Sequence, residues 1–265
     1  MQNNYIMNNR DALKKYEKII YFFTILFFLI KISCSNNNTL SIGHRGAKGY
    51  VAENTYESIS KAIELGADGI EIDVFKCASG ELVLFHDKNL EKLTGKSGLI
   101  EKLTTKQLEQ FLVLGKYKIP TLTDVLKRIE KPFFVNIELK GLNTAGLTSK
   151  IITDISKSTL WSLENFVVSS FNWGELEQFR SIDKNTSVGV LVSKAMQINE
   201  AIEFGKKINA QNIHPNFKLL NKKTIKKIKN NGFKIYTWTV NDKIDIDLMK
   251  ELNVDGIISD YPDRI

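Results

Sequence analysis

From residue 39 to the last residue, short apolar runs alternate with amphipathic segments. Eight runs rich in β-branched and aromatic residues have the length of buried strands: 40–43, 69–74, 133–139, 165–170, 187–192, 211–215, 233–240 and 256–260. Helical spacing of apolar residues marks the segments 55–65, 146–158, 174–181, 197–207, 222–229 and 243–252. Alternating strands and helices predict a parallel sheet of the α/β class, and eight such strands predict a TIM (β/α)8 barrel. An open doubly wound sheet is the alternative, but "GHRGAKG" after the first strand lacks the glycine spacing of a dinucleotide loop.

One region interrupts this alternation. Residues 75–132 separate the second strand from the third and contain the strand-like run "ELVLFHD". Two short helical patterns follow it, over 103–115 and 121–129. This pattern predicts a small insertion after strand two, on the C-terminal face of the barrel where active sites are built.

The first 38 residues have a different pattern. Basic residues precede an apolar run over 19–30, which as a helix is roughly 18 Å long and too short to span a bilayer. Cys34 and a polar tract follow, so the segment resembles a bacterial lipoprotein signal, although Lys31 stands where such signals carry an apolar residue. We predict a signal and short polar linker over 1–38 and one domain over 39–265. Export follows from this prediction, with membrane attachment through Cys34 or the apolar segment, or release as a periplasmic or secreted protein.

Composition limits the other partners. The chain has 265 residues, 43% of them hydrophobic, which suffices for a core of barrel size. Its net charge is +7, and the lysine-rich stretch 221–230 has the spacing of a solvated helix face. No aromatic residues are interleaved with these lysines, so no nucleic-acid partner is predicted. Attraction to anionic substrates or membrane surfaces stays open.

Charged residues in the predicted strands need an explanation, because buried parallel strands are nearly all apolar. Glu71 and Asp73 lie two residues apart in "GIEIDV", and Glu138 and Lys140 repeat this spacing in "FFVNIELK". A period of two places these side chains on one face of each strand. Three carboxylates together predict an oxygen site for Mg²⁺ or Ca²⁺. Ion pairs with Arg45 and Lys140 are the alternative.

Two histidines are predicted to converge on the same carboxylates. His44 ends the first strand, and His86 ends the strand-like run of the insertion. Histidine exchanges protons near neutral pH, and the guanidinium of Arg45 suits phosphate oxygens. With a cation that polarises a phosphoryl oxygen, this set predicts attack on a phosphodiester. One histidine takes a proton from the nucleophile, and the other protonates the leaving alcohol.

Two more residues lie at predicted strand ends. Trp238, in "IYTWTVN", either packs in the core or lines the substrate, and we predict a substrate-lining role because it ends a barrel strand. For His214, in "QNIHP", the position favours the edge of the site, and a plain strand end is the alternative.

Motifs along the whole domain carry a family resemblance. In chain order, "HRG", "AENT", "GIEIDV", "LVLFHD", "IPTLTDVL", "NIELK", "WTVN" and "GIISDYPDRI" resemble the glycerophosphodiester phosphodiesterase family over residues 40–265. The resemblance implies a TIM barrel with an insertion after strand two. It also implies hydrolysis of glycerophosphodiesters, such as glycerophosphocholine, to glycerol 3-phosphate and an alcohol. A neighbouring glycerol hydroxyl is thought to attack phosphorus in this family, and water then opens the cyclic phosphate.

The resemblance also implies roles for single residues. The family's catalytic pair of histidines is matched by His44 and His86. Its metal ligands are matched by Glu71, Asp73 and Glu138. Arg45 and Lys140 match the family's phosphate-binding arginine and the lysine beyond its third metal ligand.

Two other functions remain alternatives. A related enzyme could act on intact phospholipids or lipid head groups, for which the apolar stretch 111–115 offers a candidate exposed edge. A noncatalytic lipoprotein that captures polyol phosphates should have lost a histidine or a carboxylate, and all of them are present here. A structural barrel leaves the polar strand ends unexplained.

Overall fold

The computed structural model describes residues 39–265, which contain nine strands. They are β1 Leu40–His44, β2 Gly69–Lys76, β3 Leu82–Leu84, β4 Phe134–Leu139, β5 Phe166–Ser170, β6 Ser187–Val192, β7 Asn212–Pro215, β8 Lys234–Thr237 and β9 Gly256–Ser259. Eight of them pair in parallel in the order β1-β9-β8-β7-β6-β5-β4-β2, and β2 pairs back with β1. The sheet is therefore closed, which confirms the predicted TIM barrel.

Helices follow the barrel strands in turn. The helices are α1 Tyr56–Glu64, α2 Glu91–Thr94, α3 Thr105–Leu108, α4 Leu122–Arg128, α5 Ala145–Ser158, α6 Trp173–Ile182, α7 Gln197–Lys207, α8 Lys222–Asn230 and α9 Lys243–Glu251. After β9 comes a 3₁₀ turn, Pro262–Arg264. Helix α1 begins where its sequence predicts, because the Thr55 side chain accepts a hydrogen bond from the Ser58 N–H.

Apolar residues divide between two layers. The outward side chains of the strands, such as Ile70 and Ile72 of β2, pack against the helices in one large core. A smaller set fills the barrel interior: Ile42, Val167, Tyr236 and Ile258. The interior is thus a packed core below the C-terminal ends of the strands, where barrels of this kind carry their sites.

The insertion is smaller than its sequence suggested. Strand β3 pairs antiparallel with β2, and helices α2 and α3 follow it over a hydrophobic cluster of their own. Helix α4 instead contributes Leu122, Val125 and Leu126 to the main core. The predicted bounds of 75–132 were therefore too wide, because the amphipathic pattern of α4 belongs to the barrel's own helix between β2 and β4.

None of the helices formed by residues 39–265 has both the length and the apolar character needed to cross a membrane. The signal, the linker and the lipid attachment at Cys34 were predicted for residues 1–38, which lie outside the described part of the chain.

Candidate active site

Three carboxylates meet at the C-terminal ends of β2 and β4. The strand register pairs Asp73 with Glu138, and Glu71 lies two residues before Asp73 on the same inward face. One oxygen of each side chain lies within 4.8 Å of the others, and all three residues are buried. The structure thus brings together the three residues that the sequence predicted as metal ligands.

The chemistry of this cluster fits a divalent cation. Within residues 39–265, Glu71 Oε1 and Asp73 Oδ1 are buried and form no hydrogen bond. Burial and then the charge of Asp73 raise the pKa of Glu71 well above its usual range and that of Glu138 to about 7. Three buried carboxylates this close together repel one another, and an all-oxygen donor set suits Ca²⁺ or Mg²⁺. Glu71, Asp73 and Glu138 would hold such an ion.

His44 stands beside this cluster at the end of β1, where the register pairs it with Glu71. Its Nδ1 lies 2.6 Å from Oδ1 of Asp260, and its Nε2 lies 4.0 Å from Oε2 of Glu71. Burial lowers the pKa of His44, although the hydrogen bond with Asp260 opposes that shift. The ring therefore favours its neutral form, with Nδ1 bonded to Asp260 and Nε2 directed toward the carboxylates.

Asp260 was missed by the sequence analysis. Asn241 fixes it twice, because Asn241 Nδ2 donates to Asp260 Oδ2 over 2.9 Å and Asn241 Oδ1 accepts the Asp260 N–H over 2.9 Å. Burial would raise the pKa of Asp260, but the hydrogen bond with His44 holds that pKa at about 2. One signal was available in the sequence: Asp260 alternates with the inward-facing Ile258 on the strand next to β1.

His86 approaches from the insertion, two residues beyond β3. Its Nδ1 lies 2.6 Å from Oδ1 of Asp87, and its Nε2 lies 3.3 Å from Nζ of Lys140. Lys140 also donates to Glu138 Oε1 over 2.8 Å. Burial lowers the pKa of His86. Both histidines thus have Nδ1 against an aspartate and Nε2 on the side of the carboxylate cluster.

Arg45 is held in place by acidic residues. Its backbone takes a left-handed conformation, with φ at 53°, and its N–H donates to Glu71 Oε2 over 3.1 Å. Its guanidinium lies 2.6 Å from Glu53 Oε1 and 3.1 Å from Asp73 Oδ2. Arg45 therefore supplies part of the positive charge that balances the carboxylates.

Asn54 is a second residue that was not predicted to belong to the site. It also has a left-handed backbone, with φ at 56°. Its side chain donates to Asp73 Oδ2 over 2.9 Å and accepts the Asp73 N–H over 3.1 Å. This pair of hydrogen bonds fixes Asp73 from the loop between β1 and α1.

A cavity of about 100 Å³ opens above the carboxylates. Among its lining residues are His44, Arg45, Glu71, His86, Glu138, Lys140 and Trp238, which are seven of the eight predicted site residues. Trp238 forms an apolar wall with Phe171, edge to face at 5.3 Å, and its Nε1 donates to the His214 carbonyl over 2.8 Å. The structure thus places Trp238 at the cavity, as its strand position predicted.

His214 does not reach the site. Its side chain is fully buried inside the barrel, and the centroid of its ring lies 5.2 Å from the centroid of the Tyr236 ring. Neither ring nitrogen has a hydrogen-bond partner among residues 39–265, and burial lowers the pKa of His214 to about 3. The expectation that it lies at the edge of the site was wrong, because its ring packs inside the barrel against Gly189 of β6.

Comparison with known proteins agrees with this site. The model of the glycerophosphoryl diester phosphodiesterase family matches residues 44–264. A glycerophosphodiester phosphodiesterase of Caldanaerobacter subterraneus is 32% identical over 86% of this chain and 96% of its own length.

Two solved structures are also similar. An Oleispira antarctica phosphodiesterase in complex with the product sn-glycerol-3-phosphate has a TM-score of 0.75 and 27% identity, over 84% of this chain and 94% of that one. The glycerophosphodiester phosphodiesterase of Thermotoga maritima has a TM-score of 0.72 and 28% identity, over 85% of this chain and 96% of that one. From the family match and these similarities over most of its length, the chain belongs to the glycerophosphoryl diester phosphodiesterase family.

Proposed function

We propose that this protein hydrolyses glycerophosphodiesters to glycerol 3-phosphate and an alcohol. One observation carries the proposal: a carboxylate cluster suited to a divalent cation lies between two histidines, each oriented by an aspartate. The similar Oleispira phosphodiesterase, which binds sn-glycerol-3-phosphate, supports the same substrate class.

A divalent cation, Ca²⁺ or Mg²⁺, would be held by Glu71, Asp73 and Glu138. When bound, it supplies polarisation of a nonbridging phosphoryl oxygen and favours ionisation of a nearby hydroxyl. The protein's own contribution is a rigid donor set. Asn54 and Arg45 fix Asp73, and Lys140 fixes Glu138.

His44 and His86 act as general base and general acid. Each presents Nε2 because its Nδ1 is bonded to an aspartate, Asp260 or Asp87. One accepts the proton of the hydroxyl that forms the new bond to phosphorus. The other donates a proton to the alcohol oxygen as its bond to phosphorus breaks. Such proton transfers contribute about 10²- to 10⁴-fold to a rate.

Arg45, Lys140 and Trp238 bind the substrate. Arg45 and Lys140 are cations at the cavity and neutralise the phosphodiester charge. Trp238, with Phe171, supplies an apolar wall for the carbon atoms of the glycerol. The cavity, of about 100 Å³, has room for a small polar group such as glycerol phosphate.

The test is glycerol 3-phosphate release from glycerophosphocholine, with Ca²⁺, with Mg²⁺ and with a chelator. His44→Ala and His86→Ala should each abolish release, and Lys150→Ala, on the exposed face of α5, is the control. Release that survives chelation or both histidine substitutions would overturn the proposal. Binding of glycerol 3-phosphate without any turnover would instead favour the noncatalytic lipoprotein.

An enzyme for intact lipids is disfavoured by the packing of residues 111–115. Phe111 and Val113 belong to the insertion's own hydrophobic cluster, and Leu114 is the exposed large apolar residue of this stretch. Faster product release from phospholipid vesicles than from glycerophosphocholine would reverse this preference.

We also propose that residues 1–38 direct export, as a lipoprotein signal at Cys34 or as a plain signal. The apolar run 19–30 and the polar tract after Cys34 support this. Fractionation of cells that express the wild type and Cys34→Ser tests it. Membrane recovery of the wild type and release of the variant would support lipid attachment, whereas a cytoplasmic wild type would refute export.

A further inference from the structure

The positive charge of this protein is concentrated in one segment. Residues 204–241 contain nine lysines and no Asp, Glu or Arg. The whole chain has 37 basic and 30 acidic residues, so the remainder carries 28 basic against 30 acidic ones. The net charge of +7 therefore arises from this segment alone. A distribution this uneven is a property of one surface and not of the overall composition.

The fold turns this segment into a single face. It runs from the end of α7 through β7 and α8 to β8, and Ile225 and Ile228 anchor α8 to the main core. Seven exposed lysines form what we call the basic face: Lys206, Lys207, Lys218, Lys222, Lys223, Lys226 and Lys227. Because the apolar side of α8 is buried, its lysines point away from the barrel.

Much of this charge is not neutralised within the protein. Lys206 and Lys207 pair with Glu203 and Glu177, and Lys222 lies 3.9 Å from Glu251. Across residues 39–265, no carboxylate lies within ion-pair distance of Lys218, Lys223, Lys226 or Lys227. Like charges on adjacent turns of one helix repel each other, so α8 gains stability when an anionic partner covers it.

We propose that the basic face binds the surface of an anionic phospholipid bilayer. Its charges are all lysines, which act as point charges toward a diffuse negative surface, whereas bidentate recognition of phosphate groups favours arginine. No aromatic residue between 204 and 241 is exposed, so this face offers no platform for stacking bases. Complementary charge without stacking groups fits a lipid surface better than a nucleic acid.

One end of the basic face lies beside the start of β1. The Leu40 N–H donates to the Asp255 carbonyl over 3.0 Å, and Lys229 of α8 lies 3.5 Å from the Asp255 side chain. Strand β1 therefore begins beside the C-terminal end of α8.

The other end of the basic face adjoins the cavity. The Phe217 N–H donates to the Trp238 carbonyl over 3.1 Å, and Lys218 Nζ lies 5.9 Å from the Phe217 ring. Docking through α8 would thus hold the mouth of the cavity at the edge of the lipid surface, open to water. Soluble diesters released from that surface would enter the cavity directly.

Vesicle binding by residues 39–265 tests the proposal, because the closed barrel and its hydrophobic clusters lie entirely within them. The chain should sediment with vesicles of phosphatidylcholine and phosphatidylglycerol, but not with phosphatidylcholine alone, and high salt should weaken binding. The triple variant Lys222→Gln, Lys223→Gln, Lys226→Gln should lose about fivefold in affinity per lysine, or about a hundredfold in total.

A matched triple variant distinguishes the effect of the basic face on vesicle binding from the effect of the net charge. Lys127→Gln, Lys150→Gln and Lys157→Gln remove the same charge from α4 and α5, and this variant should bind within about threefold of the parent. Both triple variants should release glycerol 3-phosphate from soluble substrate at the parent rate. Equal loss in both variants, unchanged binding in the α8 variant, or displacement from vesicles by a short nucleic-acid duplex that binds more tightly would overturn the proposal.

Discussion

Nδ1 of His44 lies 2.6 Å from Oδ1 of Asp260, where β9 pairs with β1 and closes the barrel. The carboxylate cannot rotate away, because Asn241 binds both its second oxygen and its backbone N–H. An ionised Asp260 accepts a hydrogen bond from the Nδ1–H group of His44, so the lone pair of Nε2 faces the carboxylate cluster. The closure of the barrel thus sets the tautomer of the histidine.

Asp260→Asn should lower kcat about a hundredfold with little change in KM. The amide has only one acceptor oxygen, so its NH₂ group can face Nδ1 of His44 and favour the tautomer that carries the proton on Nε2. The loss therefore falls on proton transfer and not on substrate binding. Steady-state kinetics with glycerophosphocholine measure the two constants. Asp263→Asn is the matched control, because Asp263 is exposed and contacts Tyr50 instead. A rise in KM without a fall in kcat would contradict this role.

Chelation should lower the melting temperature of the wild type, and Ca²⁺ or Mg²⁺ should restore it. A ligand at about a hundred times its Kd contributes about 2.7 kcal/mol, which corresponds to roughly 5–10 °C for a domain of this size. Glu71→Gln should abolish the response to the cation. It should also stabilise the chelated protein by about 1 kcal/mol, because burial and the charge of Asp73 disfavour the Glu71 carboxylate. Thermal unfolding with and without chelator measures both effects, and a variant that still responds to the cation would exclude Glu71 as a ligand.

Trp238→Phe should raise KM about tenfold and change kcat less. The substitution shortens the apolar wall and removes the hydrogen bond to the His214 carbonyl, but leaves both catalytic histidines in place. Trp173→Phe is the control, since Trp173 also donates to a backbone carbonyl, that of Leu191, but lies outside the residues lining the cavity. Equal effects of the two substitutions on KM would show a general loss of packing.

How much the sequence revealed depended on distance along the chain. Glu71, Asp73 and Glu138 were predictable, because alternation within a strand fixes which side chains share a face. For Asp260, alternation could indicate only an inward side chain, because its partner His44 lies 216 residues away and they meet only when the sheet closes. Asn54 was left out because its contact with Asp73 needs a left-handed loop residue that no periodicity marks.

The depth of a side chain inside the barrel was equally difficult to predict from the sequence. His214 ends an apolar run as His44 does, yet it lies buried below the site. Strand β7 ends at Pro215, as its sequence predicts, and His214 pairs with Leu191, which lines the cavity. The direction of the His214 ring, and not the end of the strand, therefore keeps it out of the site. Helix α4 shows the same limit, since its amphipathic pattern could not tell a barrel helix from an insertion helix.

His214→Leu should make stability less sensitive to acid. Burial holds the pKa of His214 at about 3, below an unfolded value near 6.5, so both states are neutral above that value. As the pH falls below about 6.5, only the unfolded state takes up the proton. The free energy of unfolding of the wild type therefore falls by about 2 kcal/mol by about pH 5. The variant lacks this loss, so its stability relative to wild type should rise by that amount between about pH 8 and pH 5. Urea unfolding at both pH values measures the difference, and a constant difference would show that His214 is not buried in its neutral form.

Gly189→Ala should destabilise the protein by about 1–3 kcal/mol, although Gly189 lies in a regular strand. A Cβ at this position would lie 2.3 Å from Nε2 of His214, and both groups are enclosed by the barrel wall, so neither can move away. Gly146→Ala in α5 is the control, since its Cβ would meet only Ile182 Cδ1 at an ordinary 3.6 Å. That substitution should be neutral or stabilise by up to about 1 kcal/mol, because alanine favours a helix over glycine.

The double variant Gly189→Ala, His214→Ala decides between a steric cause and a backbone cause. If the ring of His214 is what excludes the Cβ, its removal should make the cost of Gly189→Ala at least about 1 kcal/mol smaller than in the wild-type background. Chemical unfolding of the wild type, both single variants and the double variant gives this coupling energy. Additive losses would mean that the backbone of the strand itself requires glycine at position 189. Steric exclusion by the ring of His214 would then be ruled out as the cause.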